Sequence, residues 1–208
     1  MRRHSLVAVV ATFVVGLSVA AAVSPIANAY NGGEDHTLTV MHSGKCLDRE
    51  YTLGFRGIKL FNPNDGAAAV QSACTGVGGI AQLCRVPSGC APTNQFWRLD
   101  FTGISGPMLV QNRQSGKCLD VAGDSTMYYA SVVQMPCDGT DSQLWNIYAV
   151  RYLNGIPYYV LDNLHSGQCL TVAWSSMNDG AAVVQADCTW TDNQLWDIYN
   201  VPFNYHGV

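Results

Sequence analysis

Charged side chains are scarce in this chain: Asp, Glu, Lys and Arg together make up 12% of its 208 residues. No run of lysine and arginine occurs, which argues against nucleic acid and anionic membrane surfaces as partners. Beyond residue 29 no stretch sustains an apolar period of about 3.6, so helices should be few and short. None approaches the length of a membrane span either. C-x-x-C spacing and Cys/His clusters are missing, which speaks against structural zinc. G-x-S-x-G, H-E-x-x-H and the P-loop are missing too, and with them the common signatures of nucleophilic, zinc-hydrolytic and phosphoryl-transfer chemistry. No metal, no cofactor and no catalytic residue is expected.

Gly, Asn, Ser, Thr and aromatic residues are plentiful, a composition that favours short strands and turns. At the start, Arg2, Arg3 and His4 precede an apolar run from Leu6 to Val23. Ser24-Pro25-Ile26-Ala27-Asn28-Ala29 follows, a helix breaker and then small residues in the pattern of a cleavage site. Residues 1–29 read as a secretory signal peptide cut after Ala29. A retained anchor is the alternative, because the run is near the lower limit for spanning. Residues 30–208 are long enough for one domain. Losing Arg2 and Arg3 takes the formal charge from −4 to −6.

All eight cysteines follow the leader: Cys46, Cys74, Cys84, Cys90, Cys118, Cys137, Cys169 and Cys188. An even count in an exported chain reads as disulfides, with the pairing open on spacing alone. Internal repetition narrows it. One phrase occurs as His42–Asp48 (HSGKCLD), Gln114–Asp120 (QSGKCLD) and His165–Thr171 (HSGQCLT). A second occurs as Ala68–Cys74 (AAVQSAC), Ser131–Cys137 (SVVQMPC) and Ala182–Cys188 (AVVQADC). A third occurs as Thr93–Asp100 (TNQFWRLD), Asp141–Tyr148 (DSQLWNIY) and Asp192–Tyr199 (DNQLWDIY). The repeats span roughly 35–100, 101–149 and 150–208. The later two align without a gap between their first cysteine and their tryptophan, whereas the first carries two insertions. Pairing within copies gives Cys46–Cys74, Cys118–Cys137 and Cys169–Cys188, which leaves Cys84 and Cys90 to close the inserted loop.

Strand signals keep the same beat. Leu38-Thr39-Val40, Met108-Leu109-Val110 and Tyr158-Tyr159-Val160 each lead into a polar Ser-Gly turn. Cys-Leu opens a second strand, the Val-Gln phrase a third and the Gln-x-Trp phrase a fourth. Four strands in three copies point to a single closed all-β body.

Together these phrases resemble the ricin-type β-trefoil family of lectins and carbohydrate-binding modules, over essentially all of 30–208. The resemblance implies a β-trefoil of twelve short strands with pseudo-threefold symmetry and disulfides inside each repeat. It implies that Trp97, Trp145 and Trp196 are core anchors, each burying on the order of 200 Å². Gln95, Gln143 and Gln194 would then satisfy nearby backbone groups. The residue before each glutamine is expected to point outward, toward a possible site.

In that family each copy can carry a shallow sugar pocket. An aspartate after Cys-Leu accepts from vicinal hydroxyls, an aromatic near the Val-Gln strand stacks on the pyranose, and the asparagine before Gln-x-Trp completes the polar side, sometimes with that glutamine. Carried over by position, copy one keeps Asp48, Asn94 and Gln95. Copy two keeps Asp120 and Gln143, with Ser142 for the asparagine. Copy three keeps Asn193 and Gln194, with Thr171 for the aspartate. The stacking aromatic is missing in every copy, since one and two residues past the Val-Gln glutamine stand Ser72 and Ala73, Met135 and Pro136, and Ala186 and Asp187. Trp190, bordering the third pocket, is a candidate substitute, as are Trp174, Tyr51, Tyr128 and Tyr129; ordinary half-buried aromatics are the alternative. Asp48 and Asp120 also fit as turn-capping acids.

The expected function is that of a secreted, extracellular, non-catalytic carbohydrate-binding protein with partly degenerate pockets. It would be a monomer, with galactose- or xylan-type glycans as first partners. The rival is a protein-binding trefoil, an inhibitor or surface interaction protein that lost sugar affinity and uses the inserted loop Thr75–Pro92 for contact.

Overall fold

The apolar residues of the repeated phrases alternate with polar ones over short runs, and each run becomes a strand. The computed structural model describes residues 35–55, 59–74, 94–102 and 106–201. Residues 1–29, on which the signal-peptide expectation falls, and Cys84, Cys90 and the inserted loop lie outside the described residues. Lobe one supplies β1 (Asp35–Val40), β2 (Cys46–Arg49), β3 (Tyr51–Leu53), β4 (Lys59–Phe61), β5 (Ala67–Ser72) and β6 (Trp97–Phe101). Lobe two supplies β7 (Met108–Asn112), β8 (Cys118–Val121), β9 (Val132–Met135) and β10 (Leu144–Leu153). Lobe three supplies β11 (Ile156–Asn163), β12 (Cys169–Val172), β13 (Ala181–Ala186) and β14 (Trp196–Val201). Among the described residues there is no α-helix, only 3-10 turns.

Antiparallel pairings run β1–β14, β14–β11, β11–β10, β10–β7, β7–β6 and β6–β1. They close a six-stranded barrel, two strands from each lobe. The remaining pairs, β2–β5, β8–β9 and β12–β13, are hairpins in one register, with Leu47 opposite Gln71, Leu119 opposite Gln134 and Leu170 opposite Gln185. Contacts between β5 and β9, β5 and β13, and Ser131 and Val184 join the three hairpins into a cap over one barrel end. The architecture is an all-β, trefoil-like fold. Among the described residues it has fourteen strands rather than the expected twelve, because the first insertion folds its own hairpin, β3–β4, outside the main sheet.

Trp97, Trp145 and Trp196 lie fully buried in one shared core with Leu38, Leu47, Leu119, Leu161 and Leu170. Each indole N–H donates at 3.1 Å to a carbonyl of its own lobe, that of Leu47, Leu119 or Leu170. Disulfides join Cys46 to Cys74, Cys118 to Cys137 and Cys169 to Cys188, all within a lobe.

The lobes are sewn together through the Val-Gln glutamines. Ser43, Ser115 and Ser166 of the Ser-Gly turns donate to Gln71, Gln134 and Gln185 at 2.6–2.8 Å. The backbone carbonyls of the same glutamines accept from the hairpin turn of a neighbouring lobe, through the amides of Gly180, Gly66 and Tyr129. Two seams add an ion pair, Lys45–Asp179 at 2.5 Å and Lys117–Asp65 at 2.6 Å. At the third, Gln168 replaces the lysine and donates instead to the Thr126 carbonyl at 2.7 Å.

Candidate functional site

The second glutamine of each copy, in the Gln-x-Trp phrase, organises a pocket frame on its lobe. Its Nε2 donates to the backbone carbonyl where the stacking aromatic would stand: Gln95 to Ala73 at 3.0 Å, Gln143 to Pro136 at 2.9 Å and Gln194 to Asp187 at 2.8 Å. The same amide reaches the residue after Cys-Leu, namely Asp48 at 3.0 Å, Asp120 at 3.1 Å and Thr171 at 3.0 Å. In lobes two and three the glutamine oxygen accepts from backbone amides of the loop after the second cysteine, those of Asp138 and Gly139, and of Thr189 and Trp190. The two bonds made by the glutamine amide are thus the same in each lobe. What surrounds them is not.

In lobe one, Asp48 is fully buried. Its Oδ1 accepts from the Arg49 amide at 2.7 Å and from the Asn94 side chain, and its Oδ2 accepts from Gln95. Both oxygens serve the fold. In lobe three, the Thr171 hydroxyl donates to the Cys169 carbonyl at 2.7 Å and accepts from Gln194. Asn193 turns its amide onto the Val172 carbonyl at 3.0 Å, while its oxygen accepts from Thr191. Trp190 stays half-exposed at the rim, its carbonyl held by Arg151, which also pairs with Asp192 at 2.6 Å.

Lobe two differs. Asp120 is buried, Gln143 binds its Oδ2, and its Oδ1 is buried and accepts no hydrogen bond of full geometry. Burial pushes its carboxyl above the usual range. The hydrogen bond from Gln143 and the nearby Ser142 hydroxyl oppose the shift, and the charges of Asp124 and Asp138 add to it.

The family described as ricin-type beta-trefoil lectin domain-like matches residues 93–154 and 151–206. The designed threefold-symmetric protein ThreeFoil is 33% identical, with a TM-score of 0.61 over 80% of this chain and 99% of that one. The chain belongs to the ricin-type β-trefoil lectin-like family. The agglutinin of Rhizoctonia solani has the same fold at 20% identity and a TM-score of 0.59, over 84% of this chain and all of that one. So has the C-terminal half of an earthworm R-type lectin, solved with GalNAc, at 16% identity and a TM-score of 0.51, over 81% and 99% of the two chains. An exo-β-1,3-galactanase of Clostridium thermocellum matches at 24% identity and a TM-score of 0.62, over 81% of this chain but only 30% of the enzyme. No curated protein matches.

Against the expectation for a ricin-type lobe, the residue before each glutamine does not point outward. Asn94 is 7% exposed and Ser142 is 2% exposed, and Asn193 is partly buried. A tight turn ahead of the strand folds them under the pocket, where Asn94 and Asn193 bond to their own lobe. His42 places Nε2 at 2.9 Å from the Ser176 carbonyl across the seam between lobes one and three. Among the described residues no group of three or more His, Cys, Asp or Glu gathers to hold a metal ion. No helix among them is long and apolar enough to cross a membrane. Sequence reasoning missed the seam pairs, whose partners are far apart in the chain.

Proposed function

We propose that this is a secreted, non-catalytic carbohydrate-binding protein whose pockets have diverged unequally, with lobe two holding the working one. The observation that carries this reading is Oδ1 of Asp120, which accepts no hydrogen bond of full geometry from the fold, with the Ser142 hydroxyl standing beside the carboxylate. A carboxylate oxygen left unsatisfied costs free energy. A sugar hydroxyl entering the frame of Gln143 and Ser142 supplies the missing donor, and a charge-assisted bond of that kind is among the stronger ones. Asp48 has both oxygens engaged, so the lobe-one residues Asp48, Asn94 and Gln95 act as a folded remnant of the pocket. Lobe three offers Asn193, Gln194 and the ring of Trp190 without an acid, which makes it the weaker partner. Weak sites on one body add through effective concentration along a polysaccharide.

Galactose- and xylan-type glycans are the first ligands to try, with the protein a monomer. A non-catalytic role is supported by the separation of Asp48 and Asp120 into equivalent places on different lobes, whereas glycoside hydrolysis needs carboxylates about 5–10 Å apart. Retention of the wild type on galactose resin and insoluble xylan, compared with Asp120→Ala, tests the reading. Weaker retention of a well-folded Asp120→Ala supports it, and equal retention removes lobe two. The protein-binding rival is favoured by Ala73, Pro136 and Asp187 at the stacking positions. Failure on every glycan together with capture of a defined protein partner would establish it.

A further inference from the structure

Tyr128, Tyr129 and Trp174 form a run of rings at the seam between lobes two and three. The centroids of Tyr128 and Tyr129 lie 4.6 Å apart, and those of Tyr129 and Trp174 lie 4.9 Å apart, with the planes tilted. Trp174 is 83% exposed and Tyr128 62%; the exposed Met127 precedes Tyr128, and the exposed Met177 lies three residues past Trp174. Apolar surface of this kind is not stabilised by contact with water.

Backbone conformation sharpens the point. At the hairpin turn, copies one and three place Gly66 and Gly180 at φ of 79° and 78°, where copy two places Tyr129 at 65°. In the turn after the second strand, Gly123 of copy two sits at φ 63°, where copy three places Trp174 at 58°. Left-handed backbone disfavours a residue with a β-carbon, and such strain gathers at functional sites. Both large aromatics therefore stand where a glycine serves the fold better, and both belong to one exposed cluster. The Tyr129 hydroxyl accepts from the Trp174 amide at 3.4 Å, and the Tyr129 amide donates to the Gln185 carbonyl at 2.9 Å, so the rings are held and not splayed at random.

The surroundings are those of a sugar. Flat apolar faces carry polar tips, the Asp187 carboxylate lies near enough to act on the Tyr128 phenol, and the Ser131 side chain is exposed at the foot of the turn. Partial desolvation is the larger cause of the upward shift of that phenol, with Tyr129 and Asp187 adding to it. The cation present at the other seams, Lys45 or Lys117, is here Gln168, which favours a neutral glycan over an acidic one.

Resting on the carbohydrate-binding reading, we propose that this seam is a second, open glycan site, bordering the lobe-three pocket at Asp187 and built on rings outside the three pocket frames. Its rings stack on the apolar faces of successive pyranoses in a neutral polysaccharide chain, while Asp187 accepts from hydroxyls at the edge. The site has no walls to enclose a single sugar, so it selects chains over monosaccharides.

The test compares the wild type, Trp174→Gly, Tyr128→Ala and Asp120→Ala on insoluble xylan and galactose resin. Xylohexaose and a galactose hexasaccharide are then titrated by calorimetry and tryptophan fluorescence. The shelf requires Trp174→Gly to bind hexasaccharide at least about tenfold more weakly, a difference of ~1.4 kcal/mol. Its melting temperature should be unchanged or raised, because the glycine relieves the backbone. A variant that lost binding through misfolding would instead melt lower, so an intact melt with lost retention supports the site. If the wild type binds and both aromatic variants bind equally well, the shelf is overturned while the pocket reading stands. If the wild type binds none of these glycans, both are overturned.

Discussion

Gln143 Nε2 lies 3.1 Å from Asp120 Oδ2, while Oδ1 accepts no hydrogen bond of full geometry and the Ser142 hydroxyl stands beside the carboxylate. The equivalent acid in lobe one, Asp48, has donors on both oxygens. Two residues in the same place of the same repeat therefore respond oppositely to substitution. Asp48→Ala strands the Arg49 amide, Asn94 and Gln95 in a buried setting and should cost about 3 kcal/mol, since bonds to a charged group contribute roughly 1.5–3 kcal/mol each. Asp120→Ala removes an under-satisfied oxygen along with the Gln143 bond and the Ser142 contact, and should cost about 1 kcal/mol. Urea denaturation of both variants measures the contrast; equal losses would mean that the two acids are held alike.

The raised carboxyl of Asp120 gives a pH dependence of definite sign. Native protein holds this proton more tightly than the unfolded chain. The stability it contributes is complete below the unfolded value of about 3.9 and declines as pH rises toward the native one. Asp120→Asn should abolish that decline. Glycan retention should run the other way, strengthening across the same window as the carboxylate forms. A retention profile flat from about pH 4 to 7 would exclude Asp120 as the acceptor.

Each core tryptophan should weigh nearly the same. Trp145→Phe keeps most of the ring but leaves the Leu119 carbonyl without its donor, a loss of about 1–3 kcal/mol. Trp145→Ala adds a cavity and should cost about 3–5 kcal/mol. Trp97 and Trp196, bonded alike to Leu47 and Leu170, should follow within experimental error. A lobe whose tryptophan is dispensable in thermal and chemical melts would break the equivalence.

Replacing Cys118 and Cys137 together by Ala should lower stability by about 3 kcal/mol, through the freedom returned to the unfolded chain. The bridges span 28, 19 and 19 residues. Loop-closure entropy grows only logarithmically with length, so the three double variants should differ by a few tenths of ~1 kcal/mol. Denaturation without reductant checks the ranking.

The core was legible because its code is local and repeated. A Cys-Leu pair, a Val-Gln pair and a Gln-x-Trp phrase mark strands whatever lies between them. The hairpin β3–β4 was not legible, because copy one carries nine more residues between Cys46 and Gln71 than the other copies have over the same stretch (25 against 16). The burial of Asn94 and Ser142 went unread for a different reason. Variation before the glutamine looked like exposure, but it reflects two ways of treating the acid above, with an amide that bonds it in lobe one and a serine beside it in lobe two. Seam contacts such as Lys45–Asp179, 134 residues apart, leave no periodic trace. Left-handed backbone at Tyr129, Trp174 and Trp190 leaves none either, except that Gly180, Gly123 and Gly139 stand at matching places in another copy.

The six residue pairs that zip β14 onto β1 leave the barrel without a free edge where its first and last strands meet. A closed ring of lobes has no privileged beginning. Relocating the break to Asn154-Gly155, between β10 and β11, and bridging the old one would yield a rearranged polypeptide with every strand beside its present neighbours. Linear order is then bookkeeping imposed by translation, and each lobe is free to drift in chemistry while the ring endures.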